Sequence, residues 1–307
     1  MRNVIGISET VFDILFRDGK PVAGVPGGSV FNGLITLGRI GIRGCVISEA
    51  GDDQIGHLTT GFMVENGVCP DYVARFPGKK SAISLAFLDA KNDAHYSFYK
   101  DYQNNRLEFS YPPIAADDIV MFGSYYALNP VLRPQVKSFL EYAKEHGAIL
   151  YYDLNFRENH SNEKDSLADT IEENFRLADI VRGSSDDFRI LYGLTDAEEI
   201  WNTRIRQHCG SFIMTEGGDG VELFTESLSA TYPAKQIETV STVGAGDNFN
   251  AGIVYGLVRE GVRRTGIASL PRERWSTLIG YGIEFGSEVC CSTENYVSWE
   301  FAERYRL

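Results

Sequence analysis

Cysteine is sparse and unpatterned in this 307-residue chain: Cys45, Cys69, Cys209, Cys290 and Cys291 are odd in number and show no CxxC spacing. That distribution supports neither a disulfide framework nor a zinc site. Reduced core thiols in a cytosolic protein account for it. Histidine is also scarce, and His57, His95, His146, His160 and His208 are scattered without an HxxxH pair on a helix face. Long apolar runs are missing, so no segment reads as a membrane span. Residues 1–8 are too short a run, and too soon interrupted by Glu9, for a signal peptide. They read as a first buried strand, and the cytoplasm is the expected location. Positive charge is in deficit: 29 Lys and Arg face 42 Asp and Glu, for a net charge of -13. A broadly acidic surface repels the nucleic-acid backbone and anionic lipid, so neither is expected as a partner. Solubility is sufficient reason for the charge. An acidic protein that binds a polyanion must shield it locally, with backbone amides, a metal ion or a few placed cations.

What is present is an ordinary globular composition, 43% hydrophobic and 23% charged, which argues against disorder. The length suits one large α/β domain or a domain with a small appendage, and buries enough core to need no staples. Short β-rich runs alternate with amphipathic stretches, the pattern of βα units around a largely parallel sheet. Strands are expected at 4–8, 45–49, 119–122, 149–153, 179–182 and 212–215. Helices are expected at 29–40, 55–66, 134–146, 165–177 and 245–260. Two stretches break the rhythm. Residues 11–25 flank the turn Arg17-Asp18-Gly19-Lys20, and residues 82–99 flank the turn Asp89-Ala90-Lys91-Asn92-Asp93. Together they read as an antiparallel flap beside the main sheet, a discontinuous subdomain the chain enters and leaves twice.

The most informative segment is Ser241-Thr242-Val243-Gly244-Ala245-Gly246-Asp247 and its continuation to Ile253. A small-residue loop runs straight into a helical pattern, where close amide approach and the helix dipole favour an anion. Asp247 falls in the first turn. Alone it would simply favour the dipole, as an ordinary helix start does. Beside a bound phosphate it would be repelled, unless it has a proton to collect. Phosphoryl transfer resolves that conflict: amides stabilise the transferring group while a carboxylate orients and deprotonates the acceptor hydroxyl.

Gly244-Ala245-Gly246-Asp247 resembles the C-terminal signature of the ribokinase-like (PfkB) carbohydrate kinases, with greatest similarity to fructokinases. A second signature resembles Gly27-Gly28-Ser29-Val30-Phe31-Asn32, continuing through Leu37–Gly41 to Gly51-Asp52-Asp53-Gln54-Ile55-Gly56. The resemblance spans nearly the whole chain. It implies a single kinase domain over 1–307, of Rossmann-like α/β type with a mostly parallel sheet, and a small β lid at about 11–25 and 72–100. It implies an ATP-dependent transfer of the γ-phosphoryl group to a sugar or similar alcohol, with Mg²⁺. By motif match Asp247 is the catalytic base, and Gly244, Ala245 and Gly246 form the anion hole.

Further positions follow from the same match. Asp13, Gly27, Gly28 and Asn32 fall at sugar-ligand positions. A carboxylate there accepts hydrogen bonds from neighbouring hydroxyls, although a turn aspartate, packing glycines and a helix cap explain the same residues without a ligand. The lid run Tyr96-Ser97-Phe98-Tyr99-Lys100 resembles the fructokinase lid, which makes Tyr99 a sugar contact or lid core. Lys79, Lys80, Lys100 and Arg106 could instead hold a sugar phosphate. Asp153-Leu154-Asn155-Phe156-Arg157 resembles the family's Asp-x-Asn-x-Arg stretch, putting Asn155 and Arg157 near the transferring phosphate. Arg182-Gly183-Ser184-Ser185-Asp186-Asp187 takes the place of Lys-x-Asn-x-x-Glu. Ser184 then faces the nucleotide and Asp187 the metal, or the stretch is simply a good helix start. Thr215, Gly217, Gly218 and Gly220 resemble the strand-end turn that passes the nucleotide, which a plain hairpin also explains. Ser241 stands where many relatives have aspartate, in a loop associated with a monovalent cation, and removes one charge from a K⁺ site.

The expected function is therefore phosphorylation of a primary sugar hydroxyl, fructose first. 2-Keto-3-deoxygluconate kinase, sugar-phosphate kinase and nucleoside kinase remain open, as does a catalytically weak sugar sensor. Lid strands in this family can pair between subunits, so a homodimer is an expectation.

Overall fold

The computed structural model describes residues 2–88, 94–101 and 109–307. The chain opens with β1 (Val4–Ile7), then the hairpin β2 (Val11–Arg17) and β3 (Lys20–Gly27), and enters helix α1 (Ser29–Arg39). Next come β4 (Gly44–Gly51), α2 (Gln54–Glu65), β5 (Val68–Cys69), β6 (Val73–Phe76), β7 (Ile83–Leu88) and β8 (Ala94–Tyr99). A regular βα rhythm follows: β9 (Ile119–Gly123), α3 (Arg133–Glu145), β10 (Ile149–Asp153), α4 (Lys164–Leu177), β11 (Ile180–Ser184), α5 (Ser185–Tyr192), α6 (Ala197–Ile200) and β12 (Ser211–Thr215). The last third holds β13 (Val221–Thr225), β14 (Ser229–Tyr232), α7 (Ala245–Arg259), α8 (Arg272–Cys290) and α9 (Trp299–Arg304).

Ten strands form one sheet in the order β14-β13-β12-β11-β10-β9-β1-β4-β5, with β6 beside β4. All pairings from β12 to β5 are parallel, and β13 runs antiparallel to both of its neighbours, β12 and β14. Strands β1, β9 and β10 are buried along their whole length, as apolar runs covered on both faces must be. Successive residues feed opposite cores. Val4, Met121 and Tyr151 pack with Phe31 and Leu34 of α1, Ile253 of α7 and Leu278 of α8. Ile5, Val120 and Tyr152 pack with Phe139 of α3, Ile171 of α4 and Phe188 of α5. Helices α7 and α8 meet along glycines: a Cβ on Gly252 would stand 2.3 Å from the Tyr281 carbonyl oxygen.

The chain leaves β1 towards β4 on one side and later fills β9 and its neighbours on the other. This reversal opens a crevice at the carboxyl ends of β1 and β9, where open α/β sheets bind ligands. The anticipated strands and helices of the main layers agree with the observed ones to within a residue or two.

The second sheet has the order β3-β2-β7-β8. Its first hairpin closes through Asp18 and Gly19, both with positive φ (50° and 71°), the combination a tight two-residue hairpin turn demands. The expected bound of 72 for the second lid segment is too early. Val73–Phe76 pairs in parallel with β4, because a strand leaving α2 lies against the edge of the main sheet before the chain turns into the lid. The anticipated turn at 89–93 and Arg106 lie outside the described residues. Among the described residues no helix is long and apolar enough to cross a membrane.

Candidate active site

The loop before α7 is tied down from both sides. The amides of Val240 and Ser241 donate to the Cys290 carbonyl at the end of α8, at 2.8 and 3.3 Å. Gly244 enters the helix with φ 79°, and a Cβ there would lie 2.8 Å from the Asn295 carbonyl oxygen. Both the handedness and the close approach require glycine. The Asn248 amide group then clamps the turn, donating to the carbonyls of Gly244 and Asn295 at 2.8 Å each. No described side chain caps this helix start, which keeps its dipole open to an anion. Of the three amides expected in the anion hole, that of Ala245 donates to the Thr242 carbonyl at 3.2 Å.

Asp247 is 9% exposed. Helix α1 approaches its backbone closely, since a Cβ on Gly33 would stand 3.1 Å from the Asp247 carbonyl oxygen. That approach brings the Asn32 Nδ2 group to Asp247 Oδ2 at 2.8 Å. The Asn32 Oδ1 atom is buried without a partner, a polar atom left for a ligand hydroxyl to satisfy. Burial pushes the Asp247 carboxyl up to about 7. The Asn32 hydrogen bond pulls it down, Asp153 pushes it up, and Arg157 and Arg182 pull it down.

Asp13 lies in β2 opposite β3 and β7. Its Oδ1 accepts from the Ser84 hydroxyl, and a Cβ on Gly27 would stand 2.6 Å from its Oδ2. Burial raises the Asp13 carboxyl to about 6, with Ser84 opposing and Glu9 adding to the rise. Gly28, at φ 140°, passes so close to Glu9 that a Cβ would stand 2.3 Å from the Glu9 carbonyl oxygen. Asp13, Gly27, Gly28, Asn32 and Asp247 therefore form one continuous wall, running from the lid to the start of α7. Glu49 in β4 meets Lys100 at 3.5 Å. Burial raises its carboxyl, and Lys100 lowers it.

The other expected residues fall into four groups. Thr215, at the end of β12, accepts from the Arg182 Nη2 group at 2.5 Å. Gly217, Gly218 and Gly220 form the turn from β12 to antiparallel β13, with Gly217 and Gly220 at positive φ. Asn155 has φ 37° just beyond β10, and Arg157 is exposed beside it. Ser184 and Asp187 mainly cap α5: the Ser184 hydroxyl accepts from the Asp187 amide at 3.2 Å, and Asp187 Oδ2 accepts from the Ser184 amide at 2.6 Å. Asp187 Oδ1 accepts from the Phe156 amide at 2.8 Å. Tyr99 is 55% exposed on the lid, where it lines a shallow groove of about 390 Å³ with Lys80, Phe98 and Lys100.

Sequence reasoning assigned no role to a buried network beside the start of α7. Arg182 Nη1 donates to Asp153 Oδ1 at 2.9 Å. Asn250 Nδ2 donates to Asp153 Oδ2 at 2.8 Å, and the Tyr151 hydroxyl donates to Asn250 Oδ1 at 2.8 Å. Asp153 and Arg182 flank motifs visible in the sequence. Asn295 carries no local signal, because Gly244, which it packs against, lies in a distant segment of the sequence.

A buried carboxyl of raised pKa, an uncapped glycine-lined helix start and a four-stranded second sheet beside a mostly parallel one are the features of an ATP-dependent carbohydrate kinase. The comparisons agree. The profile of the pfkB family carbohydrate kinases matches residues 2–300, and the chain belongs to that family. It is 24% identical over 264 residues to probable fructokinase-4 of Arabidopsis thaliana, covering 83% of this chain and 80% of that protein. Among solved structures it resembles fructokinase with bound ATP from Xylella fastidiosa, with TM-score 0.83, 19% identity, and 99% and 97% of the two chains covered. It also resembles a fructokinase double mutant from Vibrio cholerae O395 in a fructose-, ADP- and potassium-bound form, with TM-score 0.84, 17% identity, and 100% and 99% covered.

Proposed function

We propose that this kinase phosphorylates fructose at a primary hydroxyl, giving fructose 6-phosphate and ADP. The observation that carries the reading is the Asp247–Asn32 pair, a base of pKa about 7 beside a buried, unsatisfied acceptor. Asp247 accepts the proton of the attacking hydroxyl, and Asn32 Oδ1 accepts from a second hydroxyl of the sugar. A base poised near neutral pH suits this task. Asp13 accepts from two further hydroxyls, with Ser84 fixing its orientation and Gly27 and Gly28 leaving room for the sugar. The fructokinase names among the relatives favour fructose over 2-keto-3-deoxygluconate, a sugar phosphate or a nucleoside.

The residues present fit a nucleotide triphosphate. No described side chain caps the start of α7, and the Thr215–Gly220 turn and Asn155 border the same end of the sheet. Mg²⁺ on the phosphates would neutralise charge developing during transfer. No cluster of three acidic, histidine or cysteine side chains suited to an ion exists among the described residues, and both Asp187 oxygens accept backbone amides. A phosphate-borne, largely hydrated Mg²⁺ fits that donor set, with Asp187 acting through water. A homodimer through the lid belongs to the same reading, supported by exposed Val22, Phe98 and Tyr99 on the four-stranded sheet.

The test is ATP consumption coupled to an identified product, across fructose, ribose, 2-keto-3-deoxygluconate, fructose 6-phosphate and adenosine. Selective turnover of fructose supports the proposal. Selective turnover of another acceptor replaces the substrate, and sugar binding without turnover of any acceptor marks a sensor.

A further inference from the structure

Arg182 is 6% exposed, and its buried ion pair with Asp153 lies at the carboxyl end of the sheet. Its fork is divided between two strand ends: Nη1 holds Asp153 of β10 at 2.9 Å, and Nη2 holds Thr215 of β12 at 2.5 Å. Its Nε atom is buried without a partner. On its far side the guanidinium lies against Gly246. A Cβ there would stand 3.0 Å from Nη2 and 3.1 Å from Nη1. A side chain at position 246 would push the cation away, so the glycine serves the arginine as well as the anion.

We propose that Arg182 is a positioning residue for phosphoryl transfer, its buried guanidinium fixing the ends of β10 and β12 and setting a positive charge, partly offset by Asp153, behind Gly246, where the transferred group gathers negative charge. A buried cation there acts in a water-poor setting and is already oriented before the reaction, the condition under which such charges contribute most. Arginine suits the place because one planar group reaches two partners and stays charged when buried. The same charge bears on Asp247. The groups that face that carboxyl are Asn32 from α1, Asp153 from β10, Arg157 from the segment after β10, and Arg182 from β11. Asp153 opposes ionisation, and Arg182 both favours it directly and offsets Asp153. Removing the cation therefore disfavours the ionised base as well as the transferred charge.

This inference rests on Asp247 being the base, so the Arg182 and Thr215 variants keep Asp247 intact. Arg182→Gln is expected to lower kcat by about 10², with sugar KM little changed, and to move the acid limb of kcat/KM up by about 1 pH unit. Arg182→Lys keeps the charge but not the fork, so the limb stays near the wild-type position while kcat falls about tenfold. Thr215→Val, a near-isosteric change expected to fold even if Arg182→Gln does not, frees one arm of the fork. It should lower kcat about tenfold without moving the limb. Folded Arg182→Gln with a wild-type kcat or an unmoved limb overturns the proposal, as does wild-type kcat in Thr215→Val. A purely structural role would lower stability and leave the limb in place. Residual high turnover in Asp247→Asn would instead remove the base assignment, which separates the two failures.

Discussion

Replacing Asp247 by Asn should make the ligand-free protein more stable, and by an amount that depends on pH. Burial lifts this carboxyl from its ordinary 3.8 to about 7. A carboxyl raised on folding binds its proton more tightly in the native state than in the unfolded one. Stability then falls as pH rises from about 4 to about 7, and levels off above. At about 1.4 kcal/mol for each unit of pKa, ionised Asp247 lowers stability by about 4 kcal/mol at alkaline pH. Asn is close in shape, and its carbonyl oxygen can still accept from Asn32, so the substitution removes the charge and keeps the contact. Urea unfolding of both proteins at several pH values measures the difference. It should be small near pH 4.5 and approach about 4 kcal/mol by pH 8.5. At a slope of about 3 kcal/mol/M that is a midpoint gain of roughly 1 M urea. Asp13, Glu9 and Glu49 also have raised carboxyls, but they are common to both proteins and largely cancel in the difference. A difference that is flat with pH, or a less stable variant at pH 8.5, would refute the reasoning.

Gly27→Ala should raise the KM for sugar about tenfold or more, because the new Cβ would crowd Asp13 Oδ2 at 2.6 Å. Steady-state kinetics with an unchanged far-ultraviolet circular dichroism spectrum would establish it. The wild-type kcat/KM should fall on the acid side of about pH 7, since Asp247 accepts a proton only when ionised and its pKa lies there. A pH–rate profile measured with saturating Mg²⁺ reports that limb. Exchanging K⁺ for Na⁺ should change kcat by no more than about twofold, because a hydroxyl stands at Ser241 and already accepts from the Val243 amide at 3.2 Å. Assays in matched chloride salts read this directly.

The sequence carried the fold where burial imposed one pattern. Strands buried on both faces read as short apolar runs, and amphipathic helices α1, α3 and α4 showed their period. Helix α8 is not legible because Gly280, Gly282 and Gly286 interrupt its pattern, and Gly282 and Gly286 answer to packing against α7 rather than to propensity. β6 was assigned to the lid because its residues look like any short strand, and only pairing with β4 settles its sheet. In the site, motif residues were legible because close backbone approach demands glycine at positions 27, 28, 244 and 246. Partnerships were not legible. The roles of Arg182 with Asp153 and of Asn248 with Asn295 depend on contacts between distant segments. Ser184 and Asp187 read equally well as nucleotide and metal ligands or as a helix cap, and the cap is the contact the structure contains.

The central claim is that Asp247 is the base of an ATP-dependent sugar kinase. The most direct test is turnover of Asp247→Asn at pH 8, with phosphorylated product quantified and sugar binding measured on the same sample. The account predicts a loss of kcat of about 10² to 10⁴ with sugar affinity nearly unchanged. Near-wild-type turnover in a folded Asp247→Asn variant would contradict it.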